Sequence, residues 1–144
     1  MIQLSRKSLM ALEAVLDVAL HARPNPVQAR EITERQGVPQ RYLEQIMQAL
    51  VKANILRGVR GPRGGYRLAR ERRRISVREI FEVIETLDKE TDGVSSRSNL
   101  CREIVEPFHA QLQTALGKAV GDTSIADLCH NSETQQQDVG NFTI

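Results

Sequence analysis

A mainly α-helical fold carrying one short β-hairpin is expected of these 144 residues. Apolar residues recur at helical spacing in five stretches, whereas strand-like sequence is confined to one place. That place surrounds Gly61, Pro62, Gly64 and Gly65, where a proline presets one turn dihedral and glycines tolerate positive φ. With no Trp, three Phe and two Tyr, the core must come from aliphatic packing between helices. A chain of this length makes one domain, or one small domain with an appendage.

The first helix is capped by Ser5, and Leu9, Leu12, Leu16, Ala19 and Leu20 follow at helical spacing until Pro24 and Pro26 end it. A short second helix covers Gln28 to Gln36, turns Ala29 and Ile32 inward, and stops at Gly37. Pro39 then opens a third helix from its favoured first-turn position. Leu43, Ile46, Met47, Leu50 and Val51 form one apolar face of it, with Gln40, Arg41, Glu44, Gln45, Gln48 and Lys52 on the other. Helix, glycine turn and a helix with polar groups at its start make a helix-turn-helix layout. A hairpin directly after it, from Ile55–Arg60 and Tyr66–Ala69, makes the layout a winged one.

The hairpin region is heavily charged. From Arg57 to Arg78 there are nine arginines against the single acid Glu71, a balance of +8 in a chain whose net charge is +2. The remainder therefore carries −6. Such one-sided placement is the footprint of a surface that docks on a polyanion, most often nucleic-acid phosphate. A scattered charge run is usually just a solvated face, but nine of one sign here argue against that reading.

Ser76 and Glu79 form a capping-box pair ahead of a fourth helix striped by Ile80, Val83, Ile84 and Leu87. Asp88 to Asn99 reads as a polar loop. Ile104, Phe108, Leu112, Leu116 and Val120 then recur about once per turn in a fifth helix, which begins near Glu106 or bends at Pro107. A narrow stripe of this kind suits pairing with a second copy of the chain. Ser124 to Cys129 forms a last helical turn that packs back, and Asn131 to Gly140, with three successive glutamines, has the composition of a disordered tail. The division is thus a winged helix-turn-helix domain over 1–87, a loop over 88–99, a dimerisation helix and terminal turn over 100–130, and a tail over 131–144.

Several function classes find little support. No Ser–His–Asp or paired-carboxylate set is evident, so an enzyme is not expected. Gly61 to Gly65 is followed by a returning strand rather than the helix a phosphate-cradling loop requires. No apolar run is long enough to span a bilayer, and a membrane-surface helix would need Trp or Phe on its apolar face. RNA readers present stacking aromatics, of which this surface offers Tyr42 and Tyr66. His21 reads as a dipole partner at a helix end and His109 as an interface residue. Two cysteines, Cys101 and Cys129, and no signal peptide fit a cytoplasmic protein with reduced thiols.

Leu4-Ser5 with Ala11-Leu12, Tyr42-Leu43-Glu44-Gln45-Ile46, Arg60-Gly61-Pro62 with Gly64-Gly65-Tyr66-Arg67-Leu68, and Ser124-Ile125-Ala126-Asp127-Leu128 together resemble the Rrf-two family of bacterial winged-helix regulators. They span almost the whole chain, and the Tyr-Leu-Glu-Gln stretch ahead of the Gly-Gly-Tyr wing is the most specific of them. The resemblance implies a homodimeric transcription regulator, a repressor, bound to a near-palindromic double-stranded DNA operator. By position, Gln40, Arg41, Glu44 and Gln45 would face base edges with Tyr42 packing beneath or touching a phosphate. Arg60 would enter the minor groove, and Arg57, Arg63, Arg67 and the Arg72–Arg74 cluster would meet phosphates. Ile104, Phe108, Leu112 and Leu116 would form the dimer interface.

The resemblance also raises a sensor. Family members with an iron–sulfur cluster carry three cysteines in the loop before the long helix; here that loop has none, and only Cys101 stands near the place of the last. Cys101 and His109 would lie about 12 Å apart along one helix. A cluster needs about four ligands, mostly thiolate, so no metal site or cofactor is assigned and an iron–sulfur cluster is disfavoured. Cys101 as a thiol switch beside Arg102, Cys101 as a buried hydrophobe, and control by a metabolite or regulatory protein stay open side by side. Cys129 reads as a small buried hydrophobe.

Overall fold

The computed structural model describes residues 5–88 and 98–132, so the expected loop and tail fall largely outside the described residues. The architecture is helical with one two-stranded antiparallel hairpin, as expected. Helix α1 (Arg6–His21) starts at Ser5, whose Oγ accepts from the Ser8 amide at 3.1 Å. Its buried face differs from the leucine stripe read in the sequence. Ser8, Ala11, Ala14, Val15, Asp17, Val18 and Ala19 point inward, whereas Leu9 and Leu20 are 48% and 37% exposed. Small side chains on the inward face let α1 lie close to its neighbours, since interaxial distance follows the side chains at the crossing.

Helix α2 (Ala29–Gln36) is entered through Gln28, whose amide donates to Glu31 Oε2 at 2.7 Å, and ends at Gly37 with φ 70°. In α3 (Gln40–Lys52) Pro39 is the N-cap residue rather than part of the first turn. Leu43, Ile46, Met47 and Leu50 are fully buried. Val51, expected on the same face, is 37% exposed: eight residues beyond Leu43, it lies about 80° around the helix from that residue, at the edge of the stripe.

Strands β1 (Leu56–Val59) and β2 (Gly65–Leu68) pair as Leu56↔Leu68, Arg57↔Arg67, Gly58↔Tyr66 and Val59↔Gly65. The connection between α1 and α2 adds a third piece: Val27 and Tyr66 exchange backbone hydrogen bonds of 3.0 and 2.7 Å. A short 3-10 turn over Arg72–Arg74 leads to α4 (Val77–Asp88). The Ser76 amide donates to Glu79 Oε2 at 2.9 Å and the Glu79 amide to Ser76 Oγ at 3.2 Å, completing the expected capping box.

A π-helical turn over Cys101–Val105 runs into α5 (Glu106–Gly121), with Pro107 in its first turn. A further helix, α6, is in place over residues 125–132. It returns to the first part of the chain, where Val77 donates to the Thr123 carbonyl and Ile125 to that of Ile75. Ile125 and Cys129 are buried in the same aliphatic core as Ile75, Ile80, Ile84 and the inward residues of α1 and α3.

Asp17 and Glu85 are the buried acidic residues among those described, and Asp17 is the deeper of the two. Asp17 has a fully buried side chain and accepts from Arg35 Nε at 2.9 Å and Nη2 at 2.7 Å, and from Gln36 Nε2 at 3.0 Å. The pair joins α1 to the end of α2. Burial by itself pushes the Asp17 carboxyl up, but the hydrogen bonds from Arg35 and Gln36 and the charges of Arg35 and His21 outweigh it and hold the group below its ordinary range. Bidentate geometry is what lets a buried charge be tolerated.

Asp17→Ala should lower unfolding free energy by about 3 kcal/mol in urea titrations, the low end for breaking a buried pair, because the Arg35 side chain is one-third exposed and can hydrate. Since the folded carboxyl titrates below the unfolded one, the contribution is complete above about pH 4 and disappears as pH falls through the folded value. An Asp17→Asn protein should show a flatter acid limb; an acid limb identical to that of the unsubstituted chain would exclude this pair as its source.

Candidate nucleic-acid interface

Helix α3 presents Gln40, Arg41, Tyr42, Glu44, Gln45, Gln48 and Lys52 to solvent, the consequence of burying its four aliphatic positions. Gln40 Nε2 donates to Glu44 Oε1 at 3.3 Å, one turn on, so two polar groups at the start of the helix are held side by side. Arg41 has no partner among the described residues.

The hairpin turn is tight. Gly61 takes φ 113°, Gly64 donates to the Gly61 carbonyl at 2.9 Å, and a Cβ on Gly64 would stand 2.3 Å from the Val59 carbonyl oxygen. Pro62 and Arg63 at the tip share a cleft with Asn25, Gln28 and Arg30, which sets the wing beside the entry to α2. Arg57, Arg60 and Arg63 are exposed and, among the described residues, have no hydrogen-bond or ion-pair partner.

The other arginines of the run are engaged within the chain. Arg67 donates to the carbonyls of Ala22 and Pro24, and Arg72 to that of Ala19. Arg70 holds the Asn54 and Arg74 carbonyls at 3.0 Å and Glu79 Oε1 at 2.9 Å, while Arg78 reaches the Gly117 carbonyl at 2.6 Å. Burial pushes the Glu79 carboxyl up, but the Ser76 amide and Arg70 bring it below its ordinary range, so it is ionised at neutral pH. Arg73 and Arg74 flank Glu71 at 3.5 and 4.0 Å. The uniform polyanion-facing belt read from the sequence is therefore two populations. Arg67 and Arg72, expected to meet phosphates, have donors engaged in fastening the wing and the following turn to the end of α1.

In and just before α5, Ile104 and Phe108 are 61% and 58% exposed, and Leu112 is also exposed, while Leu116 is half-buried. Leu100 and Val105 extend this apolar strip and were not singled out from the sequence, although Leu100 continues the four-residue spacing of Ile104, Phe108 and Leu112. Cys101 begins the π-helical turn, its side chain lying outside what the structure describes. His21 Nδ1 sits 2.9 Å from the Asp17 carbonyl at the end of α1, and His109 Nε2 3.2 Å from Gln113 Nε2. No described helix is long and apolar enough to cross a membrane.

Residues 4–131 match the family described as "Rrf2: Iron-dependent Transcriptional regulator". The chain is 31% identical to the HTH-type transcriptional regulator IscR of Vibrio parahaemolyticus, over 96% of this chain and 86% of that one. It is 35% identical to the IscR of Xenorhabdus nematophila, over 91% and 81%. Among solved structures, T. potens IscR superposes with a TM-score of 0.74 at 30% identity, covering 94% of this chain and 91% of the other. CymR, the global cysteine regulator of B. subtilis, superposes with a TM-score of 0.70 over 91% and 98%; at 23% identity that likeness concerns the fold.

The iron in the family description can be tested against the residues. The chain has two cysteines, and Cys129 is buried in the core. Among the described residues no three His, Cys, Asp or Glu side chains come together as a metal site. One thiol per chain at Cys101 does not fit a cluster held by about four mostly thiolate ligands.

The wing's attachment can be broken at one atom. A Cβ on Gly65 would stand 2.5 Å from the Val27 carbonyl oxygen, so Gly65→Ala should part the Val27–Tyr66 bridge and cost about 1–3 kcal/mol. Hydrogen exchange at the Val27 and Tyr66 amides should accelerate at least tenfold, and unchanged protection would show that the bridge does not hold the wing.

Proposed function

We propose, from the premise that the chain belongs to the Rrf2 family of transcriptional regulators, that it binds a near-palindromic DNA operator as a homodimer. In this reading α3 enters the major groove and the wing reaches the adjacent minor groove, and occupancy of the operator in the cytoplasm represses transcription. The observation that carries the proposal is the uncovered polar face of α3 together with the partner-free arginines Arg57, Arg60 and Arg63 on the wing. Each side chain has a fitting counterpart. Arg41 offers a bidentate donor pair to guanine, Gln40 and Gln45 can pair with adenine, and Glu44 accepts from cytosine. Arg60 suits the enhanced negative potential of a narrow A/T-rich minor groove. Arg57 and Arg63 supply phosphate contacts, which give affinity and salt dependence rather than sequence choice. Tyr42, exposed beside this face, adds a phosphate contact.

The dimer is supported by the apolar strip of Ile104, Phe108, Leu112 and Leu116, too extended to be left in water by a stable monomer. Two-fold pairing along α5 would duplicate the reading head and match the symmetry of the operator.

Selection from random duplexes followed by fluorescence anisotropy tests the reading directly. Arg41→Ala should lose roughly tenfold or more in affinity at one base pair only, and Arg60→Ala should relax preference at an A/T flank. Equal competition by random duplex or structured RNA would overturn specific DNA recognition. Phe108→Asp and Leu112→Asp should sediment as monomers with at least a hundredfold weaker operator binding, as expected when half of a two-site contact is lost. A dimer that survives both substitutions would remove α5 as the interface.

A further inference from the structure

Beneath the base of the wing lies a recess where Arg57, also given a DNA phosphate contact above, meets four further arginines. It has a volume of about 320 Å³ and is lined by Arg23, Arg57, Arg67, Arg70 and Arg72, with Glu71 the one carboxylate among its described lining residues. Five guanidinium groups against one carboxylate leave a formal +4, and +3 once Glu79, bonded to Arg70, is set against it. The carbonyl end of α1 contributes only about half a negative charge, and Arg67 and Arg72 already occupy its Ala22 and Ala19 oxygens, respectively. Arg23 and Arg57 have no hydrogen-bond or ion-pair partner among the described residues. Positive charge inside a concave wall concentrates the field on whatever enters.

We infer that this recess is a binding site for a small oxyanion-bearing molecule, with phosphate or carboxylate oxygens held between Arg23 and Arg57. Arg67, Arg70 and Arg72 complete the field, because a guanidinium has five donors and their recorded bonds leave others available. The volume sits at the lower end for small-molecule pockets, the size of a compact metabolite. A free oxyanion is favoured over a DNA phosphate because Arg67 and Arg72 are half-buried and tied inward to α1, which keeps them from extending toward a convex duplex. Arg57 and Arg67 are register partners on the two strands, and Arg23 lies just past the end of α1. An oxyanion bridging Arg23 to Arg57 therefore adds a second tie between α1 and the wing, so occupancy holds the wing in place.

The phosphate measurement is made without DNA, so its failure would leave the regulator reading untouched; duplex binding enters only to say what the recess does instead. Thermal unfolding of the full chain is followed while inorganic phosphate replaces chloride at matched ionic strength. A saturable rise in midpoint of a few degrees is expected, with phosphate affinity falling roughly tenfold in Arg23→Gln and in Arg57→Gln. Both variants should fold, since neither side chain has a partner to lose. No saturable rise over chloride, or a rise untouched by both substitutions, would overturn the site. Absence of a phosphate effect combined with weaker random-duplex binding by Arg23→Gln would assign the recess to the DNA backbone and overturn it equally.

Discussion

The rotational setting of α3 is the constraint from which the rest follows. Leu43, Ile46, Met47 and Leu50 are buried at successive turns of one face, each contributing about 1.5–3 kcal/mol through removal from water. Together they are comparable with the whole net stability of a domain, roughly 5–15 kcal/mol. No rotation of α3 that exposed them could persist. The helical period then decides, without further interactions, that Gln40, Arg41, Glu44, Gln45 and Gln48 face outward. The bonds of Asp17 to Arg35 and Gln36 fix the neighbouring helix against α1, so the reading face stands on a rigid support.

The wing shows charge in two roles. A guanidinium bonded to a carbonyl at the end of a helix offsets the negative pole there and satisfies acceptors that helix geometry leaves unpaired. Arg67 and Arg72 act in this way on α1, and Arg70 links Asn54, two residues before β1, to the capping carboxylate of α4. The exposed arginines near the turn are then carried on a strand whose base is stapled in three directions. Affinity for a polyanion and stiffness of the reading element come from the same residue type, separated only by what lies within reach of each side chain.

Local rules were readable wherever one segment decided the outcome. The Ser5 cap, the stop at Gly37, the Ser76–Glu79 box and the turn at Gly61–Gly65 involve residues within a few positions of each other, and each forms as its spacing implies. The α3 face was legible because four large aliphatics at strict spacing leave one solution. In α1, by contrast, the stripe read in the sequence ran through leucines, whereas Ala and Val residues fill most of the buried face. The small set is buried because the neighbouring helices approach closely, a fact residing in α3 and α4 rather than in α1.

By itself, then, the order of residues determined the helices, the hairpin, the outward face of α3 and the excess of positive charge beside it, because each depends on periodicity and composition over short separations. Only the tertiary structure decided which arginines remain free, since that depends on carbonyls 45 and 53 residues away from Arg67 and Arg72. It alone joined Val27 to Tyr66, set Asp17 against Arg35, and brought Ile125 and Cys129 into the core formed by the earlier helices. A buried charge or a borrowed backbone hydrogen bond needs its partner from a distant segment, and pattern along one chain carries no measure of that distance.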